Sequence, residues 1–295
     1  MSLRIGINPL TWSNDDLPSL GAATPLEVCL SEGKQAGYEG FELGNKFPRD
    51  PAVLGPILQQ HGLTLVSGWY SSRLLERDAH AEIDALQSHL HLLKSLNSSV
   101  LVYAEVSGCV HGAQDTPVYQ RPVMNEAQWA LFCERISQVG DYLHTQGIAL
   151  AYHHHMGTVI EIETEIDRLM AGTPDTVGLL LDTGHLTYAG GDPVRVLHKH
   201  HGRVRHVHCK DIRSAVLTDA KNRNLSFLDA VLNGVFAVPG DGSVDYPAVL
   251  DGLAQYGYDG WLVVEAEQDP AVAPSLLHAR RGYEYLAQQL ARIST

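Results

Sequence analysis

Several segments of the chain finish in residues that hold metals or move protons. Ile148 to His155 reads IALAYHHH, and Val177 to Asp182 reads VGLLLD with His185 close behind. Val204 to Lys210 reads VRHVHCK, and Gly260 to Glu267 reads GWLVVEAE. Each is a short apolar run with a polar end, the pattern of a buried strand. Side chains alternate along a strand. His153 and His155 therefore share a face, as do His206, His208 and Lys210, Leu180 and Asp182, and Glu265 and Glu267. With His153, Asp182, His208 and Glu265 facing inward, two neutral imidazoles and two carboxylates converge on one point and balance a 2+ ion. Such mixed nitrogen and oxygen ligation suits manganese, cobalt, iron(II) or zinc better than calcium. His206, one step deeper, reads equally well as a structural histidine. His198, His200 and His201 fall on a helix pattern and are expected in solvent.

A metal beside titratable groups is equipment for acid–base chemistry at a carbonyl. His155 lies above the proposed ligand on the same face, and an imidazole titrates near neutral pH. Lys210 and Glu267 stand in the same relation to His208 and Glu265. These three are the leading catalytic candidates, with Glu42 and Lys46 behind them, and the alternative for His155 and Lys210 is that they orient ligands instead. Asn8, Glu42, Lys46, His185 and Arg213 are candidate partners for substrate hydroxyls. Trp69, like Trp12, fits either the C–H face of a ring or the core. Glu105 also closes a strand pattern.

These residues need a frame that brings eight strand ends together. Strand patterns recur at 4–10, 40–44, 63–70, 99–106, 148–155, 177–182, 204–210 and 260–267, each followed by a helix pattern. Thr24 and Pro25 read as N-cap and first helical residue, with Gly37 as the stop. Further helices are expected at about 79–96, 125–146, from 164, from 192, at 247–256 and at 273–290. Strands alternating with amphipathic helices mean a parallel sheet covered by helices. Eight such units in 295 residues favour one closed (β/α)₈ barrel spanning 1–295 over an open sheet. No GxGxxG follows the first strand. Two long loops, 107–123 and 213–245, are expected to act as lids or binding loops.

Composition narrows the function. A formal charge of −13 repels phosphate backbones and argues against a nucleic-acid binder. Four cysteines without close pairing make neither a disulfide framework nor a zinc ribbon. No apolar run approaches the ~20 residues that span a bilayer, and Met1 to Arg4 runs straight into a strand pattern. A cytoplasmic location away from membranes is the expectation.

LLLDTGHL (179–186), HVHCKD (206–211) and WLVVEAEQD (261–269) resemble the strand-end motifs of the xylose-isomerase-like superfamily of sugar isomerases and endonucleases. GINPLTWSNDD (6–16), ELGNKFP (42–48), SGWYS (67–71), AYHHHMGT (151–158) and VFAVPGDG (235–242) are more specific. They resemble the inosose dehydratases of myo-inositol catabolism, and the resemblance covers nearly the whole chain. It implies a barrel that removes water from scyllo-inosose, a polyhydroxylated cyclic ketone, giving a trihydroxycyclohexane dione. It also implies manganese or cobalt at the metal site, and brings glutathione as an associated cofactor, although no residue pattern identifies a glutathione site. Homo-oligomers are common among such barrels.

One departure matters. The wider superfamily places a glutamate four residues before a glycine at the end of the fifth strand, and here His153 stands four residues before Gly157. The exchange removes a negative charge, so a stronger Lewis acid is expected. It leaves open whether His153 or His155 is the ligand. Competing readings are a keto-sugar isomerase or epimerase on the same scaffold, an abasic-site endonuclease, and a sugar-binding barrel without catalysis. The acidic surface opposes the second, and the intact ligand set opposes the third.

Overall fold

The computed structural model describes residues 3–293; Met1 and Ser2, read above as running into the first strand, lie outside them. The strands are β1 (Arg4–Ile7), β2 (Gly40–Leu43), β3 (Thr64–Ser72), β4 (Val100–Glu105), β5 (Ala149–His153), β6 (Val177–Asp182), β7 (Val204–Cys209), β8 (Asp211–Ile212), β9 (Phe236–Ala237) and β10 (Trp261–Val264). The helices are α1 (Leu26–Ala36), α2 (Pro51–Gln60), α3 (Ala79–Ala85), α4 (Gln87–Ser95), α5 (Glu126–Thr145), α6 (Glu163–Gly172), α7 (Thr183–Tyr188), α8 (Pro193–His200), α9 (Ser214–Asn222), α10 (Phe227–Leu232), α11 (Tyr246–Gln255) and α12 (Ser275–Ile293). Eight parallel strands close into a barrel in the order β1-β10-β7-β6-β5-β4-β3-β2. The expected (β/α)₈ barrel is what forms, and β8 and β9 make a separate antiparallel ribbon. Among the described residues no helix is long and apolar enough to cross a membrane.

Alternation along the strands sorts side chains into two layers. Leu179 and Leu181, Val207 and Cys209, and Leu262 and Val264 point outward into the main core beneath the helices. Between them, Val100, Val102, Ala151 and Leu180 form one cluster inside the barrel, and Val66, Trp261 and Val263 another. The next inward positions along β5, β6, β7 and the exit of β10 are His153, Asp182, His208 and Glu265. Apolar side chains fill much of the barrel axis, with Glu42, Ser67 and His206 forming a buried polar layer just below the four, which stand at the C-terminal end where barrel chemistry sits.

Details differ from the sequence reading in instructive ways. Pro25, not Thr24, stands at the N-cap position of α1, which has no side-chain cap, while Gly37 ends it at φ 115°, a left-handed conformation that suits glycine. The single helix expected at 79–96 breaks at Leu86 into α3 and α4. The loop expected at 213–245 contains α9, α10 and β9, and it packs its own apolar cluster of Phe227, Leu228, Val231 and Phe236 against Ile212 and Tyr188.

Candidate metal centre and adjoining cavity

Each proposed ligand is fixed by one atom and free at another. His153 donates from Nδ1 to the His154 carbonyl at 2.6 Å, which leaves the Nε2 lone pair without a partner. Asp182 caps α7 by accepting the His185 N–H on Oδ1 at 2.7 Å, leaving Oδ2. His208 donates from Nε2 to Glu42 Oε1 at 3.0 Å, leaving Nδ1. Glu265 accepts from Lys210 Nζ on Oε1 at 3.2 Å, leaving Oε2. The four remaining atoms converge. His153 Nε2 is 3.6 Å and His208 Nδ1 3.5 Å from Asp182 Oδ2, and His208 Nδ1 touches Glu265 Oε2. All four are buried and lack a hydrogen-bond partner. One ligand atom from each lies within 4.8 Å of every other. Buried polar atoms left without partners are costly, and four aimed at one point fit a divalent ion. The structure groups His153 with these ligands. His155 joins His185 and Glu267 instead.

Beneath the centre lies Glu42, placed at the end of β2. Its Oε1 accepts from Ser67, His206 and His208, and its Oε2 accepts from Asn8 at 2.7 Å. Burial acts to raise this carboxyl, but the surrounding imidazoles hold it well below the usual range. His206 is thereby a structural partner of Glu42, with no exposed surface. For His208, burial is likewise outweighed: Glu265 and Glu42 raise the imidazole well above its ordinary value.

Lys210 and Glu267 form a buried pair at 2.6 Å. Burial lifts Glu267 to about 7 against the pull of Lys210. Burial also disfavours the Lys210 ammonium, yet the Glu265 and Glu267 carboxylates keep it protonated. His155 donates from Nδ1 to the Met156 carbonyl at 2.8 Å, so its Nε2 is an unprotonated base, and burial lowers its pKa well below the ordinary value. Met156 N–H lies 3.2 Å from His185 Nδ1, and Lys210 Nζ lies 3.0 Å from Nε2.

A cavity of about 310 Å³ opens above the ligands and is lined in part by Asn8, Trp69, His155, His208, Glu265 and Glu267. That is the small end of small-molecule sites, suited to one ring. The Trp69 ring meets His153 and His155 edge-on at 5.4 and 5.5 Å between centroids. A larger basin of about 750 Å³ lies at the opposite end of the barrel, among the starts of the strands. Lys210 and His185 are buried behind the cavity wall. Two expected substrate contacts are engaged elsewhere. Lys46 donates to the carbonyls of Gly21, Ala22 and Thr24, holding the loop after β1. Arg213 donates to Gly234, Phe236 and Asp241, clamping the 213–245 segment. Glu105 is occupied by Ser72, Leu74 N–H and Ser107 N–H. Asp15, Asp16, Asn45 and Arg49 line the cavity and escaped the sequence reading. They sit on loops after β1 and β2, where no periodicity marks direction. The polar run at 13–16 and the polar residues either side of Phe47 and Pro48 were the available signal.

A family model described as a xylose isomerase-like TIM barrel matches residues 30–289. The chain belongs to the xylose isomerase-like TIM barrel family. Within that family it is 50% identical over 291 residues to the rhizopine catabolism protein MocC of Rhizobium meliloti, covering 99% of this chain and 90% of that one. It is 42% identical over 288 residues to an inosose dehydratase of Geobacillus thermodenitrificans, covering 97% of each. Among solved structures, the probable 3-DHS dehydratase AsbF of Bacillus anthracis superposes with a TM-score of 0.69 at 14% identity, over 97% of this chain and 99% of that one. This last likeness concerns the family's barrel alone.

Proposed function

We propose that this chain is a divalent-metal-dependent hydro-lyase that removes water from a polyhydroxylated cyclic ketone, with scyllo-inosose as its substrate. One observation carries the reading: four buried ligand atoms without partners converge beside a ring-sized cavity that also presents an unprotonated imidazole and a carboxyl raised toward neutrality. The inosose dehydratases at 42% and 40% identity over nearly the full chain support the substrate.

His153, Asp182, His208 and Glu265 would hold the ion, whose chemistry is to polarise a carbonyl oxygen and stabilise the negative charge that develops there. His155 Nε2 takes the proton from the carbon next to the ketone. Glu267, which lines the cavity, gives a proton to the hydroxyl on the next carbon as its C–O bond breaks. One proton has then gone to His155, and the hydroxyl has left as water with the proton of Glu267. The enol that remains tautomerises to the dione. Each positioned group contributes ~10²–10⁴-fold. Trp69 forms an apolar wall for the ring, and Lys210 fixes Glu267 from behind.

The test is to strip the protein of metal, restore manganese or cobalt, and incubate it with scyllo-inosose. Metal-dependent loss of one water, read by mass and ultraviolet absorbance, is expected. A product of unchanged mass with a shifted carbonyl or inverted centre would transfer the reading to an isomerase or epimerase.

A further inference from the structure

The Lys210 ammonium sits between two groups of metal-type ligands. On one side Nζ is 3.2 Å from Glu265 Oε1 and 4.0 Å from Asp182 Oδ2. On the other it is 3.0 Å from His185 Nε2 and 2.6 Å from Glu267 Oε1. His155, His185 and Glu267 form a second buried set whose ligand atoms lie within 4.8 Å of one another. Glu265 serves both sides, with Oε2 turned to the His153, Asp182 and His208 cluster and Oε1 turned to Lys210. A carboxylate shared in this way is suited to bridging two ions, which in two-metal sites lie ~3.5–4 Å apart.

The hole between Glu265 and Glu267 is filled by the protein itself. An ammonium has three hydrogens to give; the carboxylate oxygens of Glu265 and Glu267 accept from Nζ, and His185 Nε2 lies 3.0 Å from it. The Phe236 ring closes the space at 4.7 Å, and Lys210 has no exposed surface. Its stem reaches this point by passing over Gly184, where a Cβ would lie 2.5 Å from Lys210 Cγ. Glycine at 184 keeps the route open.

We propose that Lys210 is a built-in cation that occupies a second ion position and holds the centre to a single metal. The proposal rests on the reading of His153, Asp182, His208 and Glu265 as the metal ligands. A tethered ammonium cannot exchange, so the metal stoichiometry is written into the sequence. Without its charge, Glu265 and Glu267 face each other uncompensated in a buried pocket, an arrangement that demands a cation. A divalent ion would then find two carboxylates and an imidazole around the vacated position.

The experiment counts zinc. Wild-type protein, Lys210→Gln, Lys210→Met and Lys210→Arg are stripped, titrated with zinc by calorimetry and measured for bound metal by mass spectrometry, with circular dichroism confirming the fold. One zinc per chain is expected for the wild type and for Lys210→Arg, which keeps the charge. Two are expected for Lys210→Gln and Lys210→Met. If the neutral variants are unfolded without metal, zinc is expected to restore them with two equivalents. One zinc in folded neutral variants overturns the proposal and leaves the metal reading standing. Two in the wild type also overturns it, with no variant needed. None in the wild type removes the metal reading and this inference together.

Discussion

Replacing Glu42 with glutamine tests whether a group buried below the ligands governs the metal. Glu42 is isosteric with glutamine, so the change removes charge and leaves volume. Four donors now point at its two oxygens, from Ser67, His206, His208 and Asn8. An amide has one oxygen and a donating NH₂, so at least one of those donors loses its acceptor. The consequential bond is that of His208 Nε2. Hydrogen bonds to an ionised partner contribute about 1.5–3 kcal/mol and neutral ones about 0.5–1.5. The difference, about 1–1.5 kcal/mol, measures how much less firmly the ring is aimed and how much less basic its Nδ1 becomes. At ~1.4 kcal/mol per decade, zinc affinity is expected to fall roughly tenfold, the lower end of the ~10–100-fold seen when partners of ligand histidines are lost. Competition against a chromophoric chelator reads this directly. Ser67→Ala, which removes one donor and no charge, is expected to shift affinity by less than about threefold. Unchanged zinc affinity in folded Glu42→Gln would refute the argument that the buried carboxylate tunes His208.

Three further outcomes follow from the same geometry. His155→Gln is expected to lower kcat by ~10²–10⁴-fold while zinc content stays the same; a kcat within threefold of wild type would reassign the base. His153→Glu restores a carboxylate to the centre, and turnover is expected to drop because the added negative charge weakens the ion's pull on the carbonyl; equal turnover at full metal loading would dismiss the charge argument. Adding zinc at about one hundred times its dissociation constant is expected to stabilise the stripped protein by about 2.7 kcal/mol, read as a rise in Tm; a Tm indifferent to zinc would show that the orphan atoms hold no ion.

The barrel was legible because parallel strands repeat a local pattern eight times, and local patterns survive in a linear sequence. The convergence of His153, Asp182, His208 and Glu265 was legible for a related reason. Alternation on β5, β6, β7 and β10 is a strict period of two, so knowing that Leu180 faces inward also places Asp182. Loops carry no such period. Lys46 and Arg213 looked like hydroxyl partners because their charge is visible in sequence, whereas the carbonyls that occupy them are not. Arg49 and Asp15 were missed for the opposite reason, since a turn brings them over the mouth with no repeat to announce it. The break at Leu86 and the helices inside 213–245 likewise depend on contacts between distant segments. Glu42 was noticed as a strand-end carboxylate, but only the closed barrel sets it against His206 and His208, more than 160 positions away.

The order of the proposed ligands along the chain has a consequence for how the protein is made. His153, Asp182, His208 and Glu265 all lie beyond the first four barrel strands, and the last of them follows directly on β10, the last strand of the barrel along the chain. A chain emerging from the ribosome begins at its N-terminus, so the first four barrel strands are released before any ligand is complete. Intermediate lengths offer an imidazole and a carboxylate, then two imidazoles and a carboxylate, each a weaker and less selective trap than the full set. High-affinity capture must wait for β10 to dock between β1 and β7, the step that also closes the barrel. With the proposed ligand set, the complete metal site therefore exists only once the ring has closed.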